Sequence, residues 1–190
     1  MWISRIETFS SRQKAGLILI LVGLVCFGVI VSLKAYQEFR QKTLSFSKVP
    51  ELRQEAPESL FPTRILITKV KIDLPVFEAK ASGDIWEISE KGISYLLGSG
   101  VPGRKGNVVI YGHNKNNLFG PIRWLEKGDE IKLTNKMEEE FVYKVVETKT
   151  VSPQKVEVLS PTQDSTLTLY TCTGFLDKER FIVVAKLQVE

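Results

Sequence analysis

The chain reads as an all-β domain behind a single apolar helix, and three observations predict this. From Thr63 onward, apolar residues come in short β-type runs separated by Gly and Pro turn signals. Helical periodicity in that region is confined to Asp84–Ser89 and Phe119–Glu126, each only a turn or two. Ahead of it lies one uninterrupted uncharged stretch, GLILILVGLVCFGVIVSL, from Gly16 to Leu33. Many short strands with frequent turns predict a sandwich or a barrel, and barrel closure removes exposed edges.

The N-terminal elements follow from charge and length. Residues 1–15 form a short leading segment, and residues 16–33 span about 27 Å as a helix, close to the hydrocarbon thickness of a bilayer. A cleaved signal would carry a shorter apolar core and a small-residue cleavage pattern. Lys34-Ala35-Tyr36-Gln37 lacks that pattern, so a retained transmembrane anchor is expected. Arg5, Arg12 and Lys14 precede the span, and Lys34, Arg40, Lys42 and Lys48 follow it, so charge alone leaves the orientation open. Residues 34–61 read as a juxtamembrane segment, helical for a few turns, and then a linker punctuated by Pro50, Pro57 and Pro62.

The folded domain is expected over residues 62–190. Its β-type runs are Arg64–Val70, Leu74–Phe77, Ser94–Leu97, Asn107–Tyr111, Glu130–Thr134, Glu140–Val146, Lys155–Leu159, Leu167–Cys172 and Arg180–Leu187. Glu130-Ile131-Lys132-Leu133-Thr134 alternates polar and apolar, as a half-buried strand should. Gly98-Ser99-Gly100, Pro102-Gly103, Gly120-Pro121, Gly128-Asp129 and Ser152-Pro153 supply the turns.

Composition excludes several functions. A net charge of +4 invites a nucleic-acid reading, but basic residues interleave with acidic ones, as in Lys127-Gly128-Asp129-Glu130, and no aromatic–arginine array tracks a strand. No nucleic-acid partner is expected. One histidine and one cysteine outside the apolar span cannot make a zinc site without carboxylates. There is no CxxC, no phosphate-cradling Gly-rich loop and no G-x-S-x-G elbow. Glu138-Glu139-Glu140 has the charge to hold calcium but reads better as a solvated turn. No cofactor or metal is expected, and calcium dependence stays open.

Three residues carry chemistry. Cys172 closes the run Leu167-Thr168-Leu169-Tyr170-Thr171-Cys172 and stands at a strand end beside Thr173-Gly174. Cys26, inside the apolar span, reads as a small apolar residue in lipid. His113, the single histidine, leaves the strand Asn107–Tyr111 through Gly112, where its ordinary pKa suits proton transfer. Arg180 opens the last run, and a short Thr173–Glu179 connection would hold it near Cys172 if the two strands form a hairpin. A thiol, an imidazole and a guanidinium together suit covalent acyl transfer. No acidic partner for the imidazole is named by the sequence. A Cys/His hydrolase and a non-enzymatic membrane-anchored β-barrel that binds wall polymer or peptides, with Cys172 merely structural, remain alternatives.

These segments resemble the sortases, the cysteine transpeptidases of Gram-positive cell surfaces. Thr168-Leu169-Tyr170-Thr171-Cys172 is similar to the family's TLxTC signature, and Asn107–His113 to the strand carrying its histidine. Arg180 in Glu179-Arg180-Phe181-Ile182 falls where the family has its arginine. Pro62–Ile67, Leu74-Pro75-Val76 and Gly128–Leu133 resemble further family elements, so the likeness covers Pro62 to Glu190. The resemblance implies an eight-stranded barrel on a membrane helix, with the catalytic domain outside the cytoplasm. It implies Cys172 as nucleophile, His113 as general acid and base, and Arg180 as stabiliser of the oxyanion or substrate. The implied substrate is a surface protein or pilin with an LPxTG-like signal, and the implied acceptor is an amine, on a peptidoglycan precursor or a pilin lysine. Val151–Thr166 is too short for the helical insertion of some classes, which fits the smaller, class A, D or E-like members.

Overall fold

Eight of the nine β-type runs become strands of one closed barrel, and the ninth does not. The structure is a computed structural model that describes residues 11–41, 44–48, 55–82 and 85–188. The leading segment before Ser11, the Pro50 end of the expected linker, and Asp84 lie outside these residues. The chain divides into a helical unit ending at Phe39 and a barrel unit beginning at Arg40.

The helix α1 runs from Ser11 to Gln41, further than the uncharged core alone. Its Arg12–Tyr36 portion is long and apolar enough to cross a membrane, and its large apolar side chains, Leu17 to Leu33, are exposed.

The strands are β1 (Pro62–Ile67), β2 (Ile72–Ala79), β3 (Ala81–Ser82), β4 (Ile85–Trp86), β5 (Ile93–Leu96) and β6 (Gly106–Tyr111). They continue with β7 (Glu130–Asn135), β8 (Glu140–Val151), β9 (Ser165–Thr173) and β10 (Glu179–Leu187). The barrel closes in the order β1-β2-β5-β6-β9-β10-β8-β7. Two pairings in it are parallel, β2 with β5 and β6 with β9, and the others are antiparallel.

Why these residues make this barrel is visible face by face. In β7, Ile131 and Leu133 point inward and are fully buried, while Glu130 is exposed. β6 and β9 do not alternate in this way, because both of their faces are covered. Val108, Ile110, Leu167, Leu169, Val183 and Ala185 fill the barrel interior. Val109, Tyr111, Tyr170, Cys172 and Ile182 face outward into a second apolar cluster. The catalytic-type residues identified in the sequence belong to this outer side.

Three local expectations are corrected. Lys155–Leu159 is not a strand: Val156–Leu159 is a 3-10 turn whose Leu159 is buried in the outer cluster. The carbonyls of Val158 and Ser160 accept from the Asn107 side-chain amide, at 3.2 and 3.1 Å, so a side chain takes the place of a ladder neighbour. The helical periodicity expected over 84–89 gives way to the β3–β4 hairpin, which drops Trp86 into the same cluster. The first strand stops at Ile67, where Thr68–Val70 turns and Lys71 adopts a left-handed conformation, φ 56°.

Inside the barrel, shortening a side chain leaves a void that neighbouring strands cannot collapse to fill. Leu169→Ala is therefore expected to lower the unfolding free energy by about 3 kcal/mol. Urea denaturation followed by tryptophan fluorescence checks this, and a loss below about 1 kcal/mol would contradict the packing described.

Candidate active site

The parallel pairing of β6 and β9 sets the site. Its register ends at Tyr111 opposite Tyr170, and Gly112 N–H continues it by donating to the Tyr170 carbonyl at 3.3 Å. Thr171 Oγ1 donates to the Gly112 carbonyl at 2.8 Å, so the next residues, His113 and Cys172, fall level with each other. On the far side of β9, Cys172 is the direct partner of Arg180 in the antiparallel ladder with β10. Cross-strand partners share a face. His113, Cys172 and Arg180 thus form a row across three adjacent strands, with the thiol in the middle.

Local geometry holds each of them. A Cβ on Gly112 would stand 2.9 Å from Ile93, so a side chain there would push the strands apart. The His113 carbonyl accepts from Lys115 N–H at 2.8 Å and Phe119 N–H at 3.1 Å, which fixes the loop that carries the imidazole. Gly174 (φ 78°), Leu176 (φ 55°) and Asp177 (φ 56°) are left-handed, and they turn the chain tightly from β9 into β10. The expected hairpin is present.

The guanidinium is held by carbonyls. Arg180 Nη1 donates to the carbonyls of Asp177 and Glu179, each at 3.0 Å, and Nη2 to that of Ser45 at 2.9 Å. Arg180 Nε is buried without a hydrogen-bond partner among the described residues. These neutral acceptors leave the positive charge beside Cys172 uncompensated by any of the contacts just named. The Trp86 Nε1 and the Tyr170 hydroxyl, in the same cluster, are also buried without hydrogen-bond partners among the described residues. Burial pushes the Tyr170 hydroxyl well above its ordinary pKa, so it stays a neutral donor.

The sequence missed two contributors. One is the segment Leu44–Lys48, expected as a mixed helical continuation. Leu44 and Phe46 are instead fully buried in the outer cluster. Phe46 meets Tyr170 edge-to-face at 5.1 Å and Trp86 at 6.0 Å, and Ser47 N–H donates to the Pro153 carbonyl at 3.0 Å. Under this cover Cys172 is 1% exposed and Arg180 3%, and His113, beyond the end of β6, is 1% exposed. The one sequence signal for it was the apolar alternation Leu44-Ser45-Phe46 within a polar stretch.

The other is Glu90, an acidic partner for the imidazole where none was expected. Its Oε1 lies 3.1 Å from His113 Nε2, and its Oε2 lies 3.1 Å from Lys115 Nζ. The Lys115 hydrogen bond, and then the neighbouring His113, hold the Glu90 carboxyl below its ordinary range against partial desolvation. No spacing rule links Glu90 to His113 in the sequence; only the fold brings the loops together.

The acidic run at the β7–β8 turn is tied up locally. Glu139 accepts from Asn135 Nδ2 and Glu140 from Lys132 Nζ, each at 2.8 Å. Among the described residues no group of three His, Cys, Asp or Glu side chains is placed to hold a metal ion.

The model of the sortase domain matches residues 65–188, which takes in the barrel from the middle of β1 to the end of β10. The chain belongs to the sortase family. It is 32% identical over 159 residues to sortase A of Bacillus anthracis, covering 79% of this chain and 73% of that one. It is 34% identical over 128 residues to sortase A of Listeria monocytogenes, covering 65% of this chain and 55% of that one. The match thus spans about half the length of the Listeria protein. The crystal structure of the Listeria sortase A superposes with a TM-score of 0.57 at 32% identity, covering 69% of this chain and 88% of that one. This sortase shares with it the closed barrel and not merely the family's short motifs.

The cover over the thiol is held by few groups: burying Leu44 and Phe46 contributes about 3–6 kcal/mol. Weakening it should expose Cys172. In the full chain carrying Cys26→Ser, the double variant Leu44→Ala/Phe46→Ala is expected to raise the rate of Cys172 alkylation by iodoacetamide at least tenfold. Equal rates in the two proteins would show that the segment does not shield the thiol.

Proposed function

We propose that the chain is a membrane-anchored cysteine transpeptidase that cleaves an LPxTG-like sorting signal and transfers it to an amine. The observation that carries this reading is the row His113–Cys172–Arg180, with the thiol between a proton carrier and a fixed cation. The Cys172 sulfur attacks the carbonyl of the Thr–Gly bond, and negative charge develops on the carbonyl oxygen. Arg180 donates hydrogen bonds to that oxygen or to the peptide beside it. Its contact with the Ser45 carbonyl supports this role, since that group has the chemistry of a substrate main chain. As the C–N bond breaks, His113 protonates the departing glycine amine, leaving a thioacyl-enzyme. The incoming amine then attacks the thioester, gives a proton to His113, and expels the Cys172 thiolate.

The apolar outer face of β6, β9 and β10 supports an extended, weakly polar peptide as substrate. To reach Cys172, that peptide has to take the place of Leu44–Phe46. The buried donors Trp86 Nε1, Tyr170 Oη and Arg180 Nε suit its carbonyls. The helix Arg12–Tyr36 supports a single-pass anchor. In this reading the barrel lies outside the cytoplasm, as membership of the sortase family suggests, facing surface proteins or pilins and an acceptor such as a wall precursor or pilin lysine.

Incubation of the protein with an LPxTG-type peptide library, followed by mass spectrometry, is expected to reveal an acyl adduct on Cys172 with release of the Gly-terminated fragment. Cys172→Ala abolishes the adduct. Arg180→Lys lowers its formation about 100-fold, since an ammonium cannot reproduce the fork of donors. Full activity in Arg180→Lys would remove Arg180 from the mechanism, and an adduct surviving Cys172→Ala would overturn the nucleophile.

A further inference from the structure

The loop ahead of β5 brings a carboxylate to the imidazole, and the way it is built argues that the contact is held. Ser89 N–H donates to Ser94 Oγ at 2.9 Å, and Lys91 N–H donates to Ser89 Oγ at 3.2 Å. A Cβ on Gly92 would lie 2.5 Å from the Pro75 carbonyl oxygen, so the loop is seated tightly against β2 at that point. Glu90 stands between these fixed points. One of its oxygens faces His113 Nε2 at 3.1 Å while the other is held by Lys115 at 3.1 Å.

We propose that Glu90 is a positioning residue for His113. Its carboxylate, 3.1 Å from Nε2, favours a proton on that nitrogen, leaves proton exchange to Nδ1, and favours the imidazolium. Lys115, which shares Glu90, disfavours a second positive charge beside it, Arg180 on β10 adds to this more weakly from beyond the thiol, and the Cys172 thiol on β9 favours one only when ionised. Glu90 offsets that repulsion. Because the Glu90 side chain is 61% exposed, its effect falls at the low end of what an ion pair at this distance produces. Lys115 sets the strength of the contact by sharing the carboxylate.

The catalytic consequence rests on the transpeptidase reading, but the contact is testable without substrate. His113 is the chain's one histidine, so nitrogen-15 labelling of histidine in the detergent-solubilised full chain gives a single imidazole to follow by NMR. Glu90→Gln is expected to shift the His113 titration to lower pH, a three- to tenfold loss of proton affinity, and to change the Nε2–H tautomer population. Lys115→Met is expected to shift it the other way, since it removes a cation and leaves Glu90 wholly to the ring. With an LPxTG-type peptide, Glu90→Gln should move the His113 limb of the kcat/KM pH profile to lower pH and leave KM unchanged. An unchanged titration and tautomer in Glu90→Gln overturns the proposal even if the enzyme turns over. Shifted titrations with no Cys172 adduct on any peptide would keep the positioning role and remove the transpeptidase reading.

Discussion

Everything at the site depends on the parallel pairing of β6 with β9. Parallel strands require a long crossover, and here it carries β7, β8 and two 3-10 turns between the strands it joins. A pair of this kind is buried on both faces, which is why Val108-Val109-Ile110-Tyr111 is a continuous apolar run and not an alternating one. The same pairing brings two strand ends out at the same level. His113 and Cys172, far apart in the chain, become neighbours because Tyr111 is in register with Tyr170. The antiparallel ladder to β10 then adds Arg180 opposite the thiol.

Burying both faces has a consequence for access. The barrel interior is closed by its own side chains, but the outer face, with Val109, Tyr111, Tyr170 and Ile182, needs a cover from elsewhere. Trp86 from the β3–β4 hairpin, Leu159 from the crossover, and Leu44 and Phe46 supply it. Tyr111 and Tyr170 stack at 5.1 Å and form the floor on which Phe46 stands edge-on. Of these covering pieces, the Leu44–Lys48 segment holds on by two buried side chains, the Ser47–Pro153 main-chain bond and the Ser45–Arg180 contact. Cover and row share the Arg180 guanidinium, through the Ser45 carbonyl.

Electrostatics at the row follow from what surrounds each group. Arg180 is anchored by main-chain oxygens, so it keeps its field where the thiol lies. The imidazole faces a carboxylate that is itself shared with Lys115. The row thus places a guanidinium on one side of the sulfur and, on the other, an imidazole that faces a carboxylate.

The sequence by itself determined the class of fold, the apolar helix and the identity of the three row residues. Hydrophobic period, turn residues and strand ends are local properties, and Cys172, His113 and Arg180 each mark a strand end. Local reading failed where a tertiary partner decides the outcome. Lys155–Leu159 has the composition of a strand, but Asn107 takes the carbonyl of Val158 and that of Ser160 just beyond it, and Trp86 packs its segment into the outer cluster as a hairpin. The contact of Glu90 with His113 and the burial of Leu44 and Phe46 join segments with no fixed spacing between them. Ion pairs and apolar contacts depend on distance in space, and only closure of the barrel sets that distance.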